Sequence, residues 1–162
     1  MPKDFKYNRY KLEEELALQA FEKSHKYISN IEGYTGTTYG CHYDVRAINT
    51  KKRISHIELK LRKEGARSYE TCFIELKKWM HLMKDYREIE NHPIPIYINF
   101  IGSYKDVYVF FLHNLKSKDM KFHPNVTIDG EVQDRIGLKW EAAWHFVYDE
   151  ETKKHKLIKK GR

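Results

Sequence analysis

"CHYDVRAINTKKRISHIELKLR" (residues 41–62) decides the fold class of this 162-residue chain. In its first part Tyr43, Val45 and Ala47 alternate with His42, Asp44 and Arg46. In its last part Ile57, Leu59 and Leu61 alternate with His56, Glu58, Lys60 and Arg62. A period of two sends successive side chains to opposite faces of an extended strand, so each part reads as a strand with one apolar and one charged face. "NTKKR" between them is a natural hairpin turn, which makes the strands antiparallel neighbours. Two charged rows then lie side by side.

The tetrapeptide "IELK" occurs twice, at 57–60 and at 74–77. The second copy sits in "YETCFIELKKWMHLMKDYREIE", where Phe73, Leu76, Met80 and Met83 recur at helical spacing without Gly or Pro to about Glu90. On a helix, residues two apart diverge by about 200°. Glu75 and Lys77 therefore cannot meet, whereas Glu58 and Lys60 on a strand aim at one place.

Upstream, the pattern from Tyr10 to about Ile28 is helical. Leu12, Leu16, Ala17, Ala20, Phe21, Tyr27 and Ile28 share one arc of a helical wheel, and Glu13 falls inside it while Glu14, Glu15 and Glu22 point more to the polar side. A first-turn acid favoured by the helix dipole is the plain reading of Glu13. The glycine-punctuated "SNIEGYTGTTYG" (29–40) reads as loop or a short strand with turns. Downstream of the prolines in "ENHPIP", "IYINFIG" and "VYVFFLH" form a pair of strands dense enough in apolar residues to be buried on both faces. Residues 113–137 are polar and poorly periodic and read mostly as loop, and "AAWHFVYDEETKKHKLIKK" reads as a closing hairpin that turns at "DEET".

Composition narrows what these elements can do. With 41% hydrophobic and 14% aromatic residues, the chain suits a single domain over 1–162, with a core at about 10–112 and a C-terminal extension at 113–162. Thirty Lys and Arg against 23 Asp and Glu give a net charge of +7, which favours a phosphate-rich partner such as nucleic acid over an acidic protein or a bare membrane. Cys41 and Cys72 are far apart and outside paired-thiol metal spacing, which points to a reducing compartment and a cytoplasmic protein. The start "MPKDFKYNRYKLEEE" lacks the apolar core of a secretory signal, and the apolar run "VYVFFL" is too short to span a bilayer, so neither leader nor membrane is expected. The nine histidines form no ligand pair backed by cysteines, and neither a phosphate-cradling Gly-rich loop nor a Gly-x-Ser-x-Gly elbow is present.

A carboxylate on one strand and Glu-x-Lys on the next is the layout that metal-assisted phosphodiester cleavage requires. Mg²⁺ prefers oxygen ligands and takes one or two carboxylates, for which Asp44 and Glu58 are the candidates. An ammonium beside them, that of Lys60, can orient the attacking water or offset transition-state charge. Arg62 on the same row either contacts phosphate or is solvated.

"YDV" at 43–45, the intervening hairpin, "IELK" at 57–60 and a helix on either side resemble the PD-(D/E)XK nuclease superfamily. The resemblance covers about residues 10–112 and implies an α/β fold: a restriction endonuclease-like core with a central mixed sheet of four or five strands flanked by helices. It implies Asp44 and Glu58 as metal ligands for Mg²⁺ or Mn²⁺, Lys60 as the residue that assists the water, and DNA as substrate. Tyr43 stands where many members carry a proline. A first-helix Glu reaches the metal through water in many members, which maps to Glu13 with Glu22 as the competing choice, and a helper cation from the following helix maps to Lys77 or Lys78. A homodimer is compatible with the same likeness.

Two alternatives remain open at this level. One is a nucleic-acid-binding or accessory protein of the same fold without activity. The other is a basic protein-interaction module whose charged rows, together with "KKR" at 51–53 and "KKHKLIKKGR" at the C-terminus, are solvated surface.

Overall fold

The alternating segments pair as adjacent strands in the computed structural model, which describes residues 3–22, 30–34 and 43–161. In chain order the elements are α1 (Lys3–Glu22), β1 (Asn30–Tyr34), β2 (Val45–Ile48), β3 (Ile54–Arg62), β4 (Thr71–Glu75), α2 (Leu76–Glu88), β5 (Ile94–Ile101), β6 (Asp106–Phe111), β7 (Met120–Ile128), β8 (Glu131–Lys139), β9 (Trp144–Asp149) and β10 (Lys154–Lys159). The fold is α/β, with a seven-stranded mixed sheet in the order β1-β2-β3-β5-β6-β9-β10 and a three-stranded sheet in the order β4-β8-β7. Within the larger sheet β3 and β5 run parallel, with Glu58 opposite Tyr97 and Lys60 opposite Asn99, and the other pairings are antiparallel. A parallel neighbour needs a crossover, and the segment carrying β4 and α2 supplies it.

The larger sheet exceeds the expected four or five strands because the C-terminal hairpin β9–β10 continues it: β9 pairs with β6 through Tyr108 and His145. Most of 113–137 was expected as loop, yet β7 and β8 form a long hairpin there. β7 is largely exposed, and in β8 the buried residues Ile136, Gly137 and Leu138 are consecutive, so the apolar alternation that marks a half-buried strand is missing. The legible signal is Asp129–Gly130: both have positive φ, 51° and 82°, as a two-residue primed turn requires.

The helical spacing around the second "IELK" also misleads at its start. Thr71–Glu75 is strand β4, and α2 begins at Leu76, so Glu75 caps the helix instead of lying within it. Backbone pairing with β8, Cys72 opposite Leu138 and Ile74 opposite Ile136, overrides the local periodicity and buries Cys72 and Ile74. Helix α1 starts at Lys3, earlier than expected, while Tyr27, Ile28, Cys41 and His42 lie outside the described residues.

Two apolar clusters sandwich the larger sheet. Ala17, Leu18 and Phe21 of α1 pack on Val45, Ile57, Leu59, Ile96, Ile98 and Phe100. On the opposite face Leu82 of α2, Cys72, Ile74 and Leu138 pack on Tyr97, Tyr108 and Phe110. β5 and β6 are thus covered on both sides, as their apolar density implied. The inward stripe of α1 is Glu14, Ala17, Leu18 and Phe21, at i, i+3, i+4 and i+7, while Leu12 and Leu16 remain 56% and 54% exposed. Leu18 marks this phase and Phe21 anchors it: Phe21 is fully buried and meets the ring of Phe146 edge-on at 5.1 Å and that of His155 at 5.1 Å, joining α1 to the C-terminal hairpin. Phe21→Ala should cost about 3–5 kcal/mol, read as a lower urea midpoint at unchanged m-value.

Candidate active site

Asp44 sits one residue before β2 and is held twice by β3: its N–H donates to the Ile57 carbonyl at 2.9 Å, and its Oδ2 accepts from the Leu59 N–H at 2.9 Å. This double tie places the carboxylate beside Glu58. Glu58 lies between β2 and β5 and is 4% exposed, so its carboxylate is withdrawn from bulk water. Lys78, in the first turn of α2, reaches over the sheet and its ammonium pairs with Glu58 Oε1. From the other side, Glu14 of α1 accepts a hydrogen bond from the Leu61 N–H at 3.0 Å. These side chains, with exposed Lys60, line one pocket of about 490 Å³. Lys11, Lys63 and Asp129 form its rim, the last delivered by the β7–β8 turn.

Burial dominates the electrostatics. It pushes the Glu58 carboxyl up to about 8, Lys78 opposes this and Asp44 adds to it. Burial also raises Glu14, against the Leu61 N–H, which favours the ionised form. For Lys78, burial disfavours the ammonium, but the neighbouring Glu58 carboxylate more than offsets it and the net shift is upward. The pocket therefore concentrates acids that are expensive to ionise without a cation.

The chemistry of the donor set fits a hard divalent cation in number. Among the described residues no group of three or more His, Cys, Asp and Glu side chains is assembled to hold a metal ion. The pocket offers two neighbouring carboxylates, Asp44 and Glu58, and Mg²⁺ commonly takes only one or two while keeping waters. The Lys78 ammonium on Glu58 already occupies the place of a counter-cation.

Asp44, Glu58, Lys60 and Lys78 share this pocket; three other candidates lie elsewhere. Glu13 is turned out of it and pairs with Arg9 at 3.2 Å on the helix surface, because one residue along α1 rotates a side chain by about 100°. The carboxylate that enters is Glu14, and the alternative Glu22 accepts from the Ile31 N–H at 3.1 Å. Lys77 faces a different groove, with Met80, His81 and Val132, for the same rotational reason. Arg62 is half-buried and outside the acid pocket: Nε donates to Asn99 Oδ1 at 2.5 Å, and Nη2 to the Phe73 carbonyl at 2.7 Å and the Tyr97 hydroxyl at 2.8 Å. Asp129 and Glu14 escape a reading of the sequence alone. The spacing of Glu14 to Ala17, Leu18 and Phe21 carried the signal for one, the Asp-Gly turn for the other.

The scaffold behind the pocket is braced from α2. His56, on the same row of β3 as Glu58, contacts Asp85 at 3.1 Å and stacks on Tyr43 at 3.8 Å between centroids, fixing the helix over the acid pair. Burial lowers the His56 pKa, with Asp85 opposing. No family model matches the chain, and no curated protein matches it.

Proposed function

We propose that this protein is a metal-dependent nuclease of the PD-(D/E)XK type, hydrolysing phosphodiester bonds in DNA in the cytoplasm with Mg²⁺ or Mn²⁺. The observation that carries the reading is the convergence of Asp44, Glu58 and Lys60 in one pocket at the end of the β2–β3 hairpin remote from its turn. The order of helix, antiparallel strands, helix and parallel strand supports a restriction endonuclease-like core. Among the described residues no helix is long and apolar enough to cross a membrane.

Asp44 and Glu58 would hold the cation, one tied by hydrogen bonds to β3 and the other buried within the pocket. When bound, a divalent ion lowers the pKa of a water and offsets charge on the phosphate. Lys60 orients that water and supplies positive charge where the phosphate becomes more negative. Lys78 compensates the buried Glu58 carboxylate, and its ammonium would be within reach to offset phosphate charge at the same pocket. Glu14, raised by burial, is suited to accept a proton from water. Glu14→Gln should slow cleavage about tenfold or more, whereas Glu13→Gln should leave the single-turnover rate unchanged.

Incubation with linear, circular and branched DNA, in Mn²⁺ and in chelator, tests the reading. Cation-dependent strand breakage is expected, and intact DNA of all three forms in Mn²⁺ removes it. A second reading, a nucleic-acid-binding protein of this fold without activity, is favoured by the Lys78–Glu58 pair, which neutralises the buried acid from within the chain. DNA binding without any heat of Mn²⁺ binding in calorimetry would select it.

A further inference from the structure

A second pocket of about 450 Å³ adjoins the acid pocket and shares Lys60, Leu61 and Lys63 with it, but its character is opposite. The charged side chains that line it are Lys60, Arg62 and Lys63, against Glu64 alone. Arg62 is built into the wall: Asn99, Tyr97 and the Phe73 carbonyl fix its guanidinium through Nε and Nη2, all neutral acceptors. Among the described residues no carboxylate forms an ion pair with it. A half-buried cation without a counter-ion is unfavourable, and a planar guanidinium held rigid on one edge is suited to take an oxyanion on the other.

We propose that this pocket is a phosphate-binding subsite, in which Arg62 and Lys63 hold a phosphoryl group of the substrate strand next to the one that lies over Asp44 and Glu58. The inference rests on the nuclease reading for the second pocket's role, not for its chemistry. Lys60 and Arg62 point to the same face of β3 and are about 6.6 Å apart along the strand, comparable to the separation of successive phosphates. Lys60 therefore faces both pockets, and Tyr69, 71% exposed on the rim, offers a ring on which the attached base can stack. The bound group is a phosphomonoester at a strand end or an internal phosphodiester, and these two sources are separable.

The experiment is fluorescence anisotropy of one labelled oligonucleotide sequence with 5′-phosphate, 3′-phosphate or hydroxyl ends, in chelator so that no strand is cut, with inorganic phosphate as competitor. Arg62→Gln should weaken binding at least about tenfold, and Lys63→Gln about threefold with the salt slope reduced by about one. Tighter binding of one phosphorylated end, lost in both variants, supports the terminal source. Equal binding of all three, weakened in both variants, supports the internal source. Arg62 also ties β3 to β4 and β5, so if Arg62→Gln fails to fold, Lys63→Gln and phosphate competition decide. Wild-type affinity and salt slope in Lys63→Gln, with no competition by phosphate, overturns the subsite. Cleavage by the wild type in Mn²⁺ is read separately: its absence with the phosphate effects intact removes the nuclease reading and leaves the subsite standing.

Discussion

Lys60→Ala is expected to lower the Mn²⁺-dependent cleavage rate by about 10²–10³-fold without loss of stability, because its ammonium is exposed in the pocket and carries no packing. Asp44→Ala and Glu58→Ala should fall at least as far, since each removes one of the two neighbouring carboxylates assigned to the cation. Their stabilities should differ. Asp44→Ala loses the bond to the Leu59 N–H and should be destabilised, by about 1 kcal/mol. Glu58→Gln keeps the shape, removes the buried charge and should melt no lower than the wild type at alkaline pH. The two readouts separate a chemical role from a structural one. Unimpaired single-turnover cutting by all three alanine variants would remove the site assignment.

Mn²⁺ affinity, measured by calorimetry, is expected to climb steeply with pH up to about 8 and then level off. The cation needs Glu58 ionised, and burial has moved that carboxyl up to about 8, so a proton competes with the metal across the neutral range. Below this value the affinity should fall by about tenfold per pH unit, with about one proton released per ion bound. The metal-free protein shows the reverse trend. Its Glu58 binds a proton more tightly folded than unfolded, so that stabilisation is complete at acid pH below the ordinary carboxylate range and is lost as pH rises through about 8. Mn²⁺ should therefore raise the melting temperature more at pH 8 than at pH 6. Lys78→Met deprives Glu58 of its cation and should move the midpoint further up. A binding constant independent of pH across the neutral range would mean that Glu58 is not a ligand.

The paired strands and their charged row were legible because a period of two leaves no choice: once Ile57, Leu59 and Leu61 face a core, Glu58 and Lys60 must share the other side. Asp44 followed from the hairpin, whose length brings it level with that row. Helical positions were less secure. The expected inward arc of α1 joined Leu12 and Leu16 to Phe21, whereas Leu18, not Leu12 or Leu16, accompanies Phe21 against the sheet. Burial of Leu18 beside Phe21, whose ring meets Phe146 more than a hundred residues away, fixes the phase and with it the identity of the acid that enters the pocket. Lys78 rather than Lys77 is likewise a matter of how α2 is docked.

The sequence by itself determined the extended segments around Asp44, Glu58 and Lys60, the apolar strands β5 and β6, and the closing hairpin, because short-range periodicity and turn chemistry specify them locally. Tertiary structure alone decided that Thr71–Glu75 joins β8 as a strand, that Glu14 and Lys78 reach the acids, that Arg62 is anchored beside a second pocket, and that Asp129 arrives from a distant turn. Each of these depends on pairing or packing between residues remote in the chain. A one-residue rotation of a helix, or a backbone ladder formed with a distant strand, changes too little local energy to be written in the neighbouring residues.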